Sequence, residues 1–302
     1  MAIRTIVVGT DLGESGHRAM QLAIPTAQAT RATLWLVHAS EVGLEHASRN
    51  LPIGARSAAR ALRERLKGRF ENSLKELESE RQRCEELGLS CQTSCEEGPP
   101  WEIILRTAVS VNADLIAVGD PIGSIGLSER LLGSTADRVV QRAHCSVLVS
   151  CGRLHEDYAG GRVAVGVDFS AHGFEAVRWA RDVANAMDGE VALFHVVPHP
   201  ITETVMPTEW PSVLDGLASA ARSRLQQLIL SEGLKPSTTV QVLDGPIGKE
   251  LCNATVEANA VVLVVGSRGQ SRLRGMMLGS ASKYCLRYSP VPVLTVRPSG
   301  RG

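Results

Sequence analysis

Gly266, Gly269 and the pair Gly279-Ser280 stand in the spacing G-x2-G-x9-G-S directly after the apolar run VVLVVG (261–266). Glycines at the first two positions let a backbone approach a ligand where a Cβ would clash. Gly279-Ser280 falls where a helix is expected to begin. The first N–H groups of a helix have no internal partner, so with the helix dipole they make an anion site. Ser280 adds a hydroxyl donor, and Arg268, Arg272 and Arg274 put cations on the same loop. A polyphosphate suits that chemistry. The bland alternative is a glycine-rich connection in which Ser280 only caps a helix. Other nucleotide motifs are missing: GPIGKE (245–250) lacks the P-loop spacing, and no G-x-G-x-x-G follows a first strand.

The same pattern occurs twice along the chain. IRTIVVGTD (3–11) matches GRVAVGVDF (161–169), and TLWLVHA (33–39) matches VALFHVV (191–197). Asp11 then stands opposite Asp168, and His38 opposite His195, at a common offset of 157 residues. Residues 98–119 match 245–266, and 131–149 match 277–295, with offsets of 147 and 146. The chain therefore reads as two copies, 1–152 and 160–302, joined by the polar, Gly-containing segment 153–159.

Short runs rich in Val, Ile and Leu (5–9, 33–39, 114–119, 145–149) read as buried parallel strands. Between them, Leu62, Leu66, Phe70, Leu74, Leu77, Cys84 and Leu87 make one apolar stripe on a long charged helix. Leu214, Leu217, Ala221, Leu225 and Leu228 repeat it more briefly. ERQRCEE (80–86) reads as the solvated face of the first of these helices. Strand–helix alternation with right-handed crossovers predicts an α/β fold: two tandem doubly wound parallel sheets of about five strands, Rossmann-like α/β/α sandwiches. Ligands of such sheets sit beyond the carboxyl ends of the strands. The last strands, HCSVLV (144–149) and VPVLTV (291–296), would otherwise be exposed apolar edges, so the copies are expected to pair through them as a pseudo-two-fold dimer.

With the Asp after strand one, the His-plus-small-apolar end of strand two, the G-x-P-like helix start and the G-x2-G-x9-G-S loop, the chain resembles the universal stress protein family. The likeness is to its tandem-domain members and covers almost the whole chain, twice. In ATP-binding members the Asp and a backbone group at the end of strand two hold adenine and ribose, and the loop glycines and Ser hold the phosphates. The resemblance thus implies an ATP site, with Mg2+ accompanying the nucleotide, built from Gly166, Asp168, Val196, Val265, Gly266, Gly269, Gly279, Ser280 and Ala281, with Arg268 beside them.

The first copy departs from that pattern. Gly9, Asp11, Ala39, Val118, Gly119, Gly123, Gly133, Ser134 and Thr135 form a weaker counterpart. Counted back from Gly123, Asp120 takes the first glycine position and leaves Gly119 one residue early. Pro121 removes an N–H, and Asp120 and Glu129 leave Arg130 as the loop's cation. That copy is expected to bind ATP less tightly than the second.

Composition sets the outer limits. The 302 residues carry 32 Lys+Arg and 32 Asp+Glu, balanced within each copy, which argues against a nucleic-acid partner. No apolar run reaches the roughly 18 residues of a membrane span, so a cytoplasmic protein is expected. The seven cysteines read as reduced thiols. Cys91 and Cys95 have a metal-like spacing, but no second Cys/His pair stands at a finger-like distance, and no metal site is expected. Asp11 and Asp168 have a second reading as helix caps, and His38 and His195 read as strand-end histidines held by hydrogen bonds. Trp101, Trp179 and Trp210 read as packing anchors.

Two functions follow. One is a stress-response sensor or regulator that binds adenine nucleotide, mainly in the second copy, with at most slow ATPase activity, since no strong base or nucleophile is evident. The other is a protein-interaction scaffold or metabolite-binding pseudo-dimer with a vestigial nucleotide site. Protein partners and assembly into a homodimer stay open. A nucleotidyl transferase or ATP pyrophosphatase would want an SGGxDS or HxGH signature, and neither is present.

Overall fold

The apolar runs become the inner strands of one sheet. In the first copy the computed structural model has β1 (Thr5–Thr10), α1 (Glu14–Thr30), β2 (Thr33–Ser40), α2 (Arg56–Glu86), β3 (Cys91–Glu97), α3 (Pro100–Ser110), β4 (Leu115–Val118), α4 (Ser134–Arg142) and β5 (Ser146–Val149). The second repeats the series as β6 (Arg162–Gly166), α5 (Ala171–Ala186), β7 (Glu190–Val197), α6 (Trp210–Ser231), β8 (Thr239–Asp244), α7 (Ile247–Glu257), β9 (Ala260–Gly266), α8 (Ser280–Tyr288) and β10 (Val293–Val296). The structure describes residues 3–40, 56–120, 132–155, 158–198, 210–269 and 278–298.

The strand order is β3-β2-β1-β4-β5-β10-β9-β6-β7-β8, which reads the same from either end once the copies are exchanged. Neighbours within a copy are parallel, whereas β5 and β10 pair antiparallel, Val149 opposite Val293 and Val147 opposite Thr295. The two expected five-stranded sheets are therefore the halves of a single ten-stranded sheet, joined through the two strands singled out as apolar edges.

Both faces are covered, which is why the inner strands read as unbroken apolar runs. Ile6 and Val8 of β1, with Val163 and Val165 of β6, pack on one face under α1, α2, α5 and α6. Val7 and Ala164 pack on the other, under α3, α4, α7 and α8. Each face carries one apolar cluster that crosses from copy to copy. Trp179 is buried at 2% exposure, as an anchor should be. Trp101 is half-buried beneath the guanidinium groups of Arg138 and Arg142, 5.4 and 4.5 Å from its ring centre. The side chains of Leu62 and Trp210 lie outside the described residues.

The stripe on α2 is shorter than its spacing suggests. Leu77 and Cys84 are buried, but Leu74 is 44% and Leu87 52% exposed. The charged segment behaves as a solvated face: Arg81 pairs with Glu78 and Glu85, and Arg83 with Glu80. The described part of segment 153–159 is packed rather than loose. The Arg153 N–H donates to the Pro290 carbonyl at 2.7 Å, and Tyr158 is buried against the shared cluster.

Candidate functional site

The carboxyl ends of β6, β7 and β9 and the start of α8 enclose a cleft of about 540 Å3. All ten residues nominated in the second copy line it: Gly166, Asp168, Val196, Val265, Gly266, Arg268, Gly269, Gly279, Ser280 and Ala281. Arg272 and Arg274 lie outside the described residues.

Local structure explains the residue types. Phe169, just after Asp168, takes a left-handed backbone (φ 60) that turns the chain from β6 into α5. Asp168 Oδ1 accepts from the Ser170 N–H at 3.0 Å and its hydroxyl at 2.6 Å. Ser170 Oγ in turn accepts from the Gly173 N–H at 3.1 Å, capping α5. The capping role weighed for Asp168 is thus carried by Ser170, with the carboxylate bracing it. Its other oxygen faces the loop: a Cβ on Gly269 would lie 2.9 Å from Asp168 Oδ2. A Cβ on Gly266 would crowd the His172 Cβ at 3.0 Å and the Arg268 carbonyl oxygen at 3.1 Å.

The two ends of the phosphate-type loop are tied together. The Gly279 N–H donates to the Ser267 carbonyl at 2.8 Å, and the Ser282 hydroxyl to the Gly266 carbonyl at 2.7 Å. Helix α8 begins at Ser280 with no side chain among the described residues capping it, and Gly279, Ser280 and Ala281 at its start line the cleft. Cationic charge gathers there. Arg297 lies near Arg268, and burial together with that neighbour lowers its pKa. His172, whose Nδ1 is 3.1 Å from Ser267 Oγ, is lowered by burial first and by Arg268 second. This corner favours an anion.

The opposite end is largely apolar. The Phe169 ring lies 4.7 Å from that of His195, with the Arg224 guanidinium 4.3 Å above it. Val196, Val265, Ile247 and Leu251 complete a slot for a flat apolar group. His195 Nδ1 is held 2.7 Å from the Val167 carbonyl and His38 Nδ1 2.9 Å from that of Thr10, as strand-end histidines. Phe169, His172 and Arg224 escaped the sequence reading. Phe169 alone had a signal, as the residue after the repeated Asp.

The first copy has a smaller cleft, about 250 Å3, lined by Gly9, Asp11, Ala39, Val118, Gly119, Gly133, Ser134 and Thr135. Gly123, Pro121, Glu129 and Arg130 lie outside the described residues. Here the Asp caps its helix directly: Asp11 Oδ1 accepts from the N–H groups of Gly13 at 2.9 Å and Gly16 at 2.8 Å. Strand register corrects the placing of Asp120. Val118 pairs with Gly9 as Val265 pairs with Gly166, so Gly119 is the counterpart of Gly266, and Asp120 that of Ser267. Counting back from Gly123 misplaces Asp120 because the two loops differ by one residue. Where the Ser267 carbonyl holds the Gly279 N–H, Asp120 Oδ1 holds the Gly133 N–H at 3.0 Å.

Among the described residues no cluster of His, Cys, Asp or Glu could hold a metal ion, and no helix is long and apolar enough to cross a membrane.

A universal stress protein of Mycobacterium tuberculosis is 29% identical over 231 residues, covering 69% of this chain and 72% of the relative. One of Mycobacterium bovis is 31% identical over 210 residues, covering 63% and 64%. The crystal structure of a universal stress protein from Archaeoglobus fulgidus shares the fold with a TM-score of 0.68 at 21% identity, over 97% of this chain and 96% of that one. The sequence profile described as the universal stress protein family matches twice, over residues 2–150 and 161–297, and the chain belongs to that family.

Proposed function

We propose that the chain binds ATP, with its accompanying Mg2+, in the cleft of the second copy, and acts as a nucleotide-responsive regulator rather than a dedicated catalyst. One observation carries the reading. An uncapped helix start, two close-packed loop glycines and Arg268 stand at one end of a cleft whose other end is an apolar slot beside Asp168. The parts fit the parts of the ligand: N–H groups and Arg268 for phosphates, Asp168 Oδ2 for ribose hydroxyls, and the slot by Val196 and Phe169 for the base. A volume of about 540 Å3 lies within the range of small-molecule sites. Bound Mg2+ would be held by phosphate oxygens. His195 is held through Nδ1 by the Val167 carbonyl, which fixes its ring at the end of β7 beside the slot.

Titration calorimetry tests this. The intact chain should take up ATP, and Gly269→Val, which drives a side chain toward Asp168 Oδ2, should abolish uptake while the fold persists. Equal ATP affinity in the variant would overturn the reading.

A further inference from the structure

We infer that the cleft of the first copy is a site for an uncharged nucleoside, adenosine rather than its phosphates, so that one chain carries a nucleotide site and a nucleoside site. This rests on reading the second cleft as an adenine-nucleotide site, and it assigns the other cleft a different ligand.

The nucleoside ends of the two clefts share four residue positions at the strand ends. Gly9, Asp11, His38 and Ala39 take the places of Gly166, Asp168, His195 and Val196. The histidine is pinned by the same kind of bond in both, Nδ1 to the carbonyl before the Asp. The residue after the Asp is left-handed in both, Leu12 at φ 59 and Phe169 at φ 60. The first copy thus repeats the Asp, the pinned His and the strand-end residue, though Leu12 does not line its cleft as Phe169 lines the second.

The phosphate ends differ, and each difference acts against an anion. The N–H of Gly133, before α4, is taken by the carboxylate of Asp120 rather than by a neutral carbonyl. The first turn of α4 carries Asp137 where that of α8 carries Lys283. Among the described residues no Lys or Arg lines the first cleft, whereas Arg268 lines the phosphate end of the second. The wall is also closer. A Cβ on Gly119 would lie 2.1 Å from the Ser15 carbonyl oxygen, against 3.0 Å from the nearest atom for Gly266. A cleft of about 250 Å3, with the carboxylate of Asp120 on the N–H of Gly133 and Asp137 in the first turn of α4, suits a nucleoside better than a triphosphate.

Equilibrium dialysis of the intact chain with labelled adenosine and ATP reads this out. Adenosine should bind at two equivalents per chain and ATP at one, and saturating ATP should displace only one of the two adenosines. In the Gly269→Val background adenosine should fall to one equivalent and ATP binding should be lost. Adding Asp120→Asn there should raise ATP affinity about tenfold or more and leave adenosine unchanged. A single adenosine equivalent on the intact chain overturns the inference, as does a Gly269→Val chain that binds ATP as tightly as adenosine, or an Asp120→Asn change without effect. The two readings fail separately. If the intact chain binds one ATP and one adenosine that compete, the second-cleft reading stands and this one falls. If the intact chain takes up adenosine but no ATP, the second-cleft reading falls.

Discussion

The hydroxyl of Thr295 donates to the carbonyl oxygen of Val147 at 3.1 Å, across the antiparallel boundary where β10 of one copy meets β5 of the other. Thr295 is 2% exposed, so its one polar side-chain atom is satisfied by the seam itself. Arg297 of the second copy bolts the same junction, donating to the carbonyls of Val140 and Gln141 of the first at 3.1 and 2.9 Å, while Arg18 secures the chain just past β5 within its own copy, donating to the carbonyls of Ser150 and Gly152 at 2.6 Å each. Because Arg297 also lies near Arg268, the seam adjoins the anion corner of the second cleft.

A charge placed in this seam should unfold both copies together. Val147 is 1% exposed, and Val147→Asp would bury a carboxylate with no donor provided for it. A loss of at least about 3 kcal/mol is expected, read as a lower urea midpoint with one cooperative transition. An unchanged midpoint would show that the copies do not depend on the seam.

Helix capping and ligand contact can be separated at the start of α5. Ser170 caps the helix, so Ser170→Ala should cost about 1 kcal/mol of stability and leave ATP affinity nearly intact. Asp168→Asn keeps an oxygen for the Ser170 N–H but removes the charge facing Gly269, so it should weaken nucleotide binding with the smaller change in melting temperature. Were the two variants to lose ATP equally, Asp168 would be acting only through the helix.

The inner strands were legible because they rest on local chemistry, unbroken apolar runs for strands covered on both faces, whereas glycine spacing misplaced Asp120 by one residue in the first loop. The outermost strands were not. CQTSCEE of β3 and TVQVLD of β8 have one neighbour each and stay partly exposed, so the apolar run that marks an inner strand is missing. Helix α2 was over-read for a related reason. It lies over the outer strands of its copy, and contact with them buries Leu77 and Cys84 while Leu74 and Leu87 face solvent. In the second copy Leu217 is exposed at 47% because it borders the cleft, a position that an apolar stripe cannot distinguish from core. The glycines that line the second cleft could be listed from one motif. His172 and Arg224 could not, since His172 reaches Ser267 and Arg224 reaches the Phe169 ring only once α5, α6 and the strand ends are folded together.

Acid should weaken the fold through two histidines. Burial lowers the pKa of His172, with Arg268 and Arg297 adding to the shift and Asp168 opposing it. Burial likewise lowers that of His144, near Arg297. With the folded value below the unfolded one, the unfolded chain binds more protons as pH drops, so stability is full above about pH 6.5 and declines as pH falls through the folded values. His172→Gln should flatten part of that decline while keeping a partner for Ser267 Oγ. Thermal melts of both proteins between neutral and mildly acidic pH measure it, and identical slopes would rule out a contribution from His172.

The sharpest probe of the loop is its third glycine. Gly269 and Gly266 are hemmed in by the protein, but among the described residues a Cβ on Gly279 would meet no atom closer than 3.7 Å, and its backbone angles (φ −69, ψ 154) suit any residue. The contacts of the described residues therefore do not demand glycine at 279. If phosphates approach the start of α8, a methyl group there stands in their way. Gly279→Ala should then melt at the wild-type temperature yet bind ATP roughly tenfold or more weakly, with adenosine affinity unchanged because the base and ribose contacts lie at the far end. A variant that binds ATP as well as the parent would mean that phosphates do not reach α8. One that loses ATP and adenosine alike would place the methyl group against the nucleoside, and the orientation of the ligand in the cleft would have to be reversed.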